Sequence, residues 1–480
     1  MKYFMAKIRQ KEIINAIFII VFVSAFVLAN MLYGFILPLY LVSMAAAFTL
    51  AIAFPRSGIY ASIILTFIFE RFFTLVSIFI GRTEWKLYPI DILFIGIIFG
   101  TIIYLIQRKV KIKLNYLDGI LAIFIIMSGL YLAAGIISGS SFALSFSAVK
   151  YYTFYPILYF VIRALFQSRE HLNNLFLSAF SGAIGILIFV LYGILNGGGL
   201  WTEFTPLSTE GIRILAFTHA FYLSLTLVAF LSYFIFKKVR QRLLFWLSFI
   251  FMALSIIGIV GSLMRHLWLS VGFSLATLFF IIPRPQKIEF LKIAKICAIL
   301  IIICAIILFY FSMLLPTSTL TDFASSMFDS LLNRAGSFSS ISGDESFSWR
   351  GTVWSEGIKE YLKQPLTGIG FGRFISVEIG SYHDFIETRN IHNSLLVILV
   401  QMGIASAGIF LWFMFSHIAT AFMKKEKDWI DYAVIALSVN YSVAFLFQPY
   451  LETNMLAIFF WIIFGLVRIT AKNYENSGNK

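Results

Sequence analysis

One histidine and three arginines have the residue types and positions needed for acid–base and phosphate chemistry. His392 comes just before a long apolar run, and Arg213, Arg265 and Arg350 lie at the ends of other apolar or amphipathic stretches. At a helix start the macrodipole disfavours imidazolium, so His392 is expected to be neutral and able to accept a proton. Guanidinium groups bind diphosphate oxygens in pairs and stabilise charge on a departing phosphate. These residues suit transfer from a diphosphate, with His392 deprotonating an incoming sugar hydroxyl.

Each of these residues also has an ordinary structural interpretation. A solvated loop charge is the alternative for Arg213 and Arg350, and a packed interfacial histidine is the alternative for His392. Arg265 differs, because two apolar runs meet there in a turn too short for a solvated loop. A guanidinium at that depth needs water, a carboxylate or an anionic ligand. Glu70, beside an arginine within an apolar run, is expected to form a structural ion pair.

The composition places these residues in a membrane protein. The chain has 480 residues, of which 60% are hydrophobic and 12% are charged. Soluble domains have about 45–50% apolar residues. Apolar runs long enough to cross a ~30 Å hydrocarbon core recur from end to end. We therefore expect an all-α, polytopic integral membrane helix bundle. The net charge of +14 is spread over short stretches between the runs, which argues against nucleic-acid binding.

The apolar runs predict about fourteen transmembrane helices, and the first two runs also fit one re-entrant unit. The predicted spans are Ile13–Ala29, Phe35–Ala53, Gly58–Ile80, Ile90–Ile106, Gly119–Ser138, Tyr151–Leu165, Leu175–Leu195, Ala216–Phe236, Leu243–Gly261, Met264–Ile282, Leu291–Leu314, Ser394–Phe415, Trp429–Phe447 and Met455–Val467.

Lysine and arginine placement predicts the orientation. With a cytoplasmic N-terminus, roughly 25 of the 37 Lys and Arg residues lie inside, and an even number of spans returns the C-terminus to the cytoplasm. Three regions result: spans one to eleven in 1–314, an extracytoplasmic loop in 315–391, and spans twelve to fourteen with a cytoplasmic tail in 392–480. The site residues then gather on the outer face. Because that face lacks a dense Asp/Glu/His cluster with metal-ligand spacing, the transfer is expected to be metal-independent.

The outer loop is expected to contain an amphipathic helix at the membrane interface. Ser348 is its predicted N-cap, and the predicted apolar face consists of Trp354, Ile358, Tyr361 and Leu362.

Five other histidines compete with His392 for a role in the site. His171 and His417 are predicted to face the cytoplasm, while the other three are predicted on the outer side: His219, His266 and His383.

Four motifs in order resemble the signature of the O-antigen ligase and polysaccharide polymerase superfamily. "SWRGTVWSEGIKEYLKQPLTGIGFGRF" has an Arg, a Trp four residues later, and a Pro followed by Gly-x-Gly. "IHNSLLVILVQMGIASAGIF" places His-Asn at a helix start and a Gly after it. "GSLMRHLWLS" resembles the family's short arginine turn, although a hydroxyl residue often stands where this chain has Met264. "GIRILAFTHA" resembles the upstream arginine segment, so the likeness runs from Arg213 to Gly408.

The resemblance implies a GT-C-like helical fold without cofactor. It also implies transfer of a glycan from an undecaprenyl-diphosphate carrier to an acceptor sugar on the outer side of the bacterial plasma membrane. Arg265 and Arg350 would hold the diphosphate, and Arg213 would contact glycan or phosphate. His392 would activate the acceptor hydroxyl, giving inversion at the anomeric carbon. The supporting residues are expected to be Asn393, Trp354 and Glu452.

Two activities share this signature. A polymerase adds the growing chain to another lipid-linked repeat unit, and a ligase adds it to a terminal acceptor such as lipid A core; the number of spans slightly favours the polymerase. The expected partners are therefore these glycans, the membrane lipids and other proteins of polysaccharide assembly. The rival interpretation is a flippase for lipid-linked oligosaccharides. It predicts repeat symmetry and functional charges at mid-membrane, whereas most of the notable residues here gather on one face.

Overall fold

The computed structural model describes residues 2–109, 114–137, 139–196, 199, 213–237, 241–314, 326–332, 336, 345–379 and 382–472. Several predicted features lie outside the described residues: much of the outer loop between 315 and 344, the basic stretches at 110–113 and 238–240, and the basic tail at 473–480.

Helices dominate the described chain, with two antiparallel hairpins, β1–β2 and β3–β4. The helices are α1 (Lys2–Tyr33), α2 (Leu37–Ala53), α3 (Pro55–Phe69), α4 (Arg71–Thr74), α5 (Pro89–Arg108), α6 (Tyr116–Ile137), α7 (Phe142–Thr153), α8 (Ile157–Leu165), α9 (Arg169–Asn196), α10 (Phe217–Phe236), α11 (Arg242–Gly261), α12 (Arg265–Ile281), α13 (Arg284–Leu314), α14 (Glu345–Lys363), α15 (Ser394–Met423), α16 (Trp429–Ala444) and α17 (Asn454–Lys472). The strands are β1 (Ile78–Ile80), β2 (Thr83–Trp85), β3 (Phe374–Ile379) and β4 (Tyr382–Glu387).

The helices confirm the predicted all-α polytopic membrane architecture. Among the described residues, seven helices are long and apolar enough to cross a membrane: Gln10–Tyr33, Pro89–Arg108, Tyr116–Ile137, Arg169–Asn196, Phe217–Phe236, Arg242–Gly261 and Ser394–Met423. Shorter apolar helices accompany them, at Leu37–Ala53, Pro55–Phe69, Arg265–Ile281 and Asn454–Ile469. The total of fourteen spans, the division into three regions and the GT-C-like fold remain predictions.

The predicted third span is wrong beyond Phe69. Helix α3 ends there because Glu70 adopts a left-handed conformation with φ of 45°, and the short α4 and hairpin β1–β2 follow. Ile80 pairs with Thr83 across a two-residue turn, and Gly81 in that turn has φ of 62°. Branched apolar residues fit a pleated strand as well as a lipid-facing helix, so hydropathy alone could not separate the two. Glu70 therefore lies at a helix end rather than in mid-span.

The predicted sixth span, Tyr151–Leu165, is two helices. Helix α7 ends at Thr153 and α8 starts at Ile157, with Pro156 between them. Proline has no amide hydrogen to continue the helix and disfavours helical conformation in the residue before it. The break also falls where the chain passes from one compact unit to the other.

The smaller unit comprises Met1–Leu114 and Ile157–Ile186. The Arg56 guanidinium of α3 joins several of its helices. It forms a 2.8 Å ion pair with Glu12 of α1 and donates hydrogen bonds to the Leu165 carbonyl of α8 and the Tyr104 hydroxyl of α5. The largely buried charge of Glu12 is thereby paired, as buried charges must be.

The larger unit comprises Asn115–Pro156 and Leu187–Lys480. In it, α16 packs against α10 and α12, while α6 packs against α7 and α15. Helix α14, hairpin β3–β4 and the start of α15 share one apolar core. Its buried residues are Val353, Ile375, Val377, Ile386, Ile391, Leu396, Val397 and Val400.

The apolar face predicted for α14 is only partly right. Trp354 and Tyr361 pack against this core, but Ile358 and Leu362 are exposed. The buried stripe is displaced because Val353, one residue earlier than predicted, is its fully buried member. The helix also begins at Glu345, three residues before the predicted N-cap Ser348.

A kink in α15 creates a docking place for the chain that follows α14. Gly403 has φ of 72° and ψ of −178° inside the helix, so nearby backbone groups leave the helical pattern. The Val400 carbonyl accepts a hydrogen bond from the Ile369 amide at 2.8 Å. The Ile404 amide donates to the Pro365 carbonyl at 2.9 Å. The motif loop, defined as residues 365–372, therefore runs along the kink.

The glycines of the motif loop allow this close approach. Gly368, Gly370 and Gly372 have φ of 67°, 86° and 72°, in the left-handed region that glycine adopts without steric cost. A Cβ on Gly372 would lie 2.5 Å from the Ser145 hydroxyl. That hydroxyl donates a 3.0 Å hydrogen bond to the Phe371 carbonyl. The loop thus connects α14 to α7 as well as to α15.

Replacing Gly403 by Ala should destabilise the larger unit. The new Cβ would lie 2.3 Å from the Leu366 carbonyl oxygen, at a φ that strains an L residue. We expect a loss of about 1–3 kcal/mol, measured as a lower thermal unfolding temperature in detergent or nanodiscs. Gly408→Ala in the same helix is the matched control. Nothing lies within 4 Å of its added Cβ, so it should unfold at or slightly above the wild-type temperature. Equal unfolding temperatures for the two variants would contradict a requirement for the kink.

Candidate functional site

The structure brings the four principal predicted residues together in the larger unit. Arg213 precedes α10, Arg265 is the first residue of α12, Arg350 lies in α14, and His392 lies just before α15. All four are close enough to His266 for their charges to act on its buried ring. Residues up to 179 positions apart in the chain, Arg213 and His392, therefore share one site.

A short turn fixes the relative positions of Arg213 and Arg265. The Ile214 amide donates a 3.0 Å hydrogen bond to the Gly261 carbonyl, at the end of the helix before Arg265. Arg213 Nη1 lies 3.9 Å from the sulfur of Met264, the residue that stands where the family often has a hydroxyl. Arg213 is only 4% exposed, so a solvated loop charge does not describe it.

His392 is held in an unusual backbone conformation. Its φ is 60°, which is uncommon for a residue with a side chain and persists only where the surroundings enforce it. The Trp354 indole Nε1 donates a 2.9 Å hydrogen bond to the Ile391 carbonyl, immediately before His392. Asn393 follows it as the N-cap of α15, where its side chain accepts a 3.0 Å hydrogen bond from the Leu396 amide. Trp354 and Asn393 thus fix the backbone on both sides of the imidazole.

The surroundings of His392 keep its imidazole neutral. Burial, and after it the charge of Arg350, lower its pKa to about 4, although a hydrogen bond with the Gln448 side chain opposes the shift. The Trp349 ring packs edge-on against the imidazole, with 5.1 Å between ring centroids. In the structure, burial and the Arg350 charge are the main causes of the neutral state of His392, whereas the sequence suggested the helix dipole as the cause. Nδ1 is buried and has no hydrogen-bond partner among the described residues.

A turn between α16 and α17 contacts the site through three of its side chains, those of Gln448, Tyr450 and Glu452. We call residues 448–452 the QPYLE turn. Gln448 hydrogen-bonds to His392, and the Tyr450 hydroxyl lies 2.9 Å from His266 Nε2. The Glu452 carboxyl accepts a 2.5 Å hydrogen bond from the Ser394 hydroxyl at the start of α15. Glu452 was predicted as a supporting residue.

Sequence reasoning did not assign Gln448, Tyr450 or His266 to the site. His266 was considered only as a competitor of His392. The available signal was the presence of polar residues at alternate positions between two apolar runs: Gln448, Tyr450 and Glu452.

Glu452 is a buried carboxyl with two hydroxyl donors. Besides Ser394, the Tyr152 hydroxyl of α7 donates to it. Burial raises the pKa of Glu452 to about 7, and the hydrogen bonds from Ser394 and Tyr152 oppose the shift. The carboxyl therefore gains or loses its proton near neutral pH.

Arg389 forms a 2.8 Å ion pair with Glu387 and donates a 2.9 Å hydrogen bond to the Ser147 hydroxyl of α7. This arrangement fastens the end of hairpin β3–β4. Glu70 and Arg71 belong to the smaller unit. Among the described residues, no group of three His, Cys, Asp or Glu side chains is arranged to hold a metal ion.

Glu452→Gln should change the dependence of stability on pH. The folded-state pKa of about 7 lies above the ordinary value of 4.5, so the folded protein binds the extra proton between these pH values. The stabilisation of the folded protein by this proton is fully present below pH 4.5 and is lost as the pH rises through about 7. Gln imitates the protonated carboxyl, so the variant should match wild type near pH 5 and exceed it near pH 8 by up to about 3 kcal/mol.

Thermal unfolding in nanodiscs across this pH range measures the effect. Glu426→Gln, at an exposed position, is the control and should follow the wild-type curve. Parallel curves for wild type and Glu452→Gln would show that Glu452 does not titrate in this range.

Comparison with known proteins finds one matching family for part of the chain. Residues 250–413 match the Wzy_C family, described as O-Antigen ligase. The matched segment contains Arg265, Arg350 and His392, whereas Arg213 and Glu452 lie outside it. No curated protein matches the chain. The match over residues 250–413 therefore supports membership of the O-antigen ligase and polymerase superfamily, which the motifs predicted.

Proposed function

We propose that the protein is a membrane glycosyltransferase that moves a glycan from undecaprenyl diphosphate to an acceptor sugar on the outer face of the plasma membrane. The O-antigen ligase domain supports the general class of activity. The observation that carries the specific proposal is the convergence of three arginines and His392 around one buried ring. A site with that charge and one neutral imidazole suits a diphosphate leaving group and a hydroxyl nucleophile.

The arginines would bind the carrier. Arg265 and Arg350 hold the diphosphate, and Arg213 contacts phosphate or the first sugar. Each guanidinium can donate paired hydrogen bonds to phosphate oxygens, and the geometry of the turn at Met264 keeps two of them at fixed positions. When the bond between the anomeric carbon and the phosphate oxygen breaks, its electron pair stays on the diphosphate. The guanidinium groups then stabilise the added negative charge.

His392 would receive the proton of the acceptor hydroxyl. Its imidazole is neutral near pH 7, and its Nδ1 has no hydrogen-bond partner among the described residues. The acceptor oxygen forms a bond to the anomeric carbon opposite the departing phosphate, so the configuration inverts. The polymerase, in which the acceptor is another lipid-linked repeat unit, is slightly favoured over the ligase by the number of predicted spans. The excess of Lys and Arg in the predicted inner loops supports placing this site outside.

Transfer from a purified lipid-diphosphate glycan, with EDTA present, tests this proposal. His392→Ala and Arg265→Ala should each reduce the rate by about 100-fold or more, since one removes the base and the other a group that stabilises the leaving diphosphate. His383→Ala and Arg82→Ala, at exposed positions on the two hairpins, are matched controls and should retain the wild-type rate. All variants should first show wild-type thermal unfolding.

Each outcome separates the alternatives. A ladder of longer products identifies a polymerase, and a single added glycan on a terminal acceptor identifies a ligase. Full activity of the folded His392→Ala and Arg265→Ala variants would reject the assigned roles. Translocation of the labelled lipid without any transfer would indicate the flippase instead.

A further inference from the structure

His266 occupies a central position in the candidate site. Arg350, His392, Arg213 and Arg265 all act electrostatically on its ring, and the side chain is only 7% exposed. Apart from the neighbouring Arg265, these groups come from three other segments of the chain, so the fold brings two further guanidinium groups and a second imidazole near this ring. Any diphosphate that the arginines hold together therefore comes close to this imidazole.

The Tyr450 hydroxyl fixes the orientation of the ring. It lies 2.9 Å from His266 Nε2, and the two ring planes meet at 72°. Tyr450 is itself fixed, because its ring packs on Phe221 at 4.8 Å between centroids and its carbonyl accepts a 3.0 Å hydrogen bond from the Tyr441 hydroxyl. A tyrosine hydroxyl can donate to a neutral imidazole nitrogen and can accept from a protonated one. His266 can therefore change its protonation state without losing this hydrogen bond.

The charge balance around His266 depends on whether a ligand is present. Guanidinium groups face it from the segment before α10, from its own helix and from α14, while the neutral imidazole of His392 faces it from the segment before α15 and the titratable hydroxyl of Tyr450 from the QPYLE turn. Each guanidinium repels a protonated ring. A diphosphate brings several negative charges and reverses this balance, so a proton becomes favourable on the imidazole nearest to it.

We propose that His266 is a diphosphate-binding residue that takes up a proton from solvent when the carrier diphosphate binds, with Tyr450 as its positioning residue. This inference rests on the proposed function. The Tyr450 hydroxyl keeps its hydrogen bond with His266 Nε2, so the Nδ1 edge of the His266 ring is left to bind the phosphate oxygens. The proton neutralises part of the negative charge that the site must accommodate. His266 thereby supplements the arginines, while His392 remains the group that receives the acceptor proton.

Calorimetry with a soluble prenyl diphosphate tests the proposal. Farnesyl diphosphate is titrated into the full chain in nanodiscs, with EDTA, near pH 7.5, in two buffers that differ in protonation enthalpy. The difference in heat gives the number of protons taken up per bound ligand at saturation. We expect a substantial fraction of one proton for wild type and a fall to roughly a tenth of that value for His266→Gln. Tyr450→Phe, which keeps the ring contacts, should also reduce the uptake, because a protonated Nε2 would lack its acceptor.

Two further variants identify the source of the proton. His392→Gln should keep most of the uptake, and His383→Gln on the exposed hairpin should keep all of it. Undiminished uptake in His266→Gln or in Tyr450→Phe would overturn the proposal. Uptake that disappears only in His392→Gln would assign the proton to His392 and overturn it as well. In both cases intact binding leaves the proposed transferase standing, whereas failure of wild type to bind the probe rejects the diphosphate site itself.

Discussion

The buried carboxyl of Glu452 is the constraint on which the candidate site depends. A carboxyl removed from water needs hydrogen-bond donors or a proton, and here the hydroxyls of Tyr152 and Ser394 donate to it. These donors belong to α7 and α15, so the carboxyl is satisfied only when both helices meet the QPYLE turn. That meeting places Gln448 and Tyr450 against the two imidazoles. The position of the chemistry thus follows from satisfying one buried polar group.

The motif loop supplies the other half of the framework. Helix α14 carries Arg350 and Trp349 to His392, and its buried face packs in the apolar core that it shares with hairpin β3–β4 and the start of α15. The kink at Gly403 opens the α15 backbone, and the loop after α14 occupies the hydrogen-bonding groups that the kink releases. The glycines of the Gly-x-Gly stretch thus permit the close backbone approach that docks the end of α14 against α15.

The sequence predicted the helical membrane class and a set of residues that the structure brings together, but not the contacts between them, and the roles of these residues remain predictions. Arg265 stood out because its short turn left no room for a solvated charge, and the structure brings Arg213 and Arg350 close to the neighbouring His266. Tyr450 could not be assigned, since its partner lies 184 residues away and only the fold joins them. Hairpin β1–β2 was missed because its apolar residues satisfy the hydropathy criterion for a span. The buried stripe of α14 was misplaced because periodicity cannot tell a core-facing residue such as Val353 from an outward-facing one such as Ile358.

In the proposed mechanism, the charges of the site would link binding of the donor to the basicity of His392. Burial and the Arg350 charge hold the pKa of His392 at about 4, which makes the ring neutral but a weak base. Efficient proton transfer favours a base whose pKa is near the working pH. A diphosphate bound at Arg350 would offset the guanidinium charge and raise the affinity of the imidazole for a proton. In the proposed mechanism, His392 would therefore become an effective base only when the leaving group is in place, so an acceptor hydroxyl would not be activated without a donor.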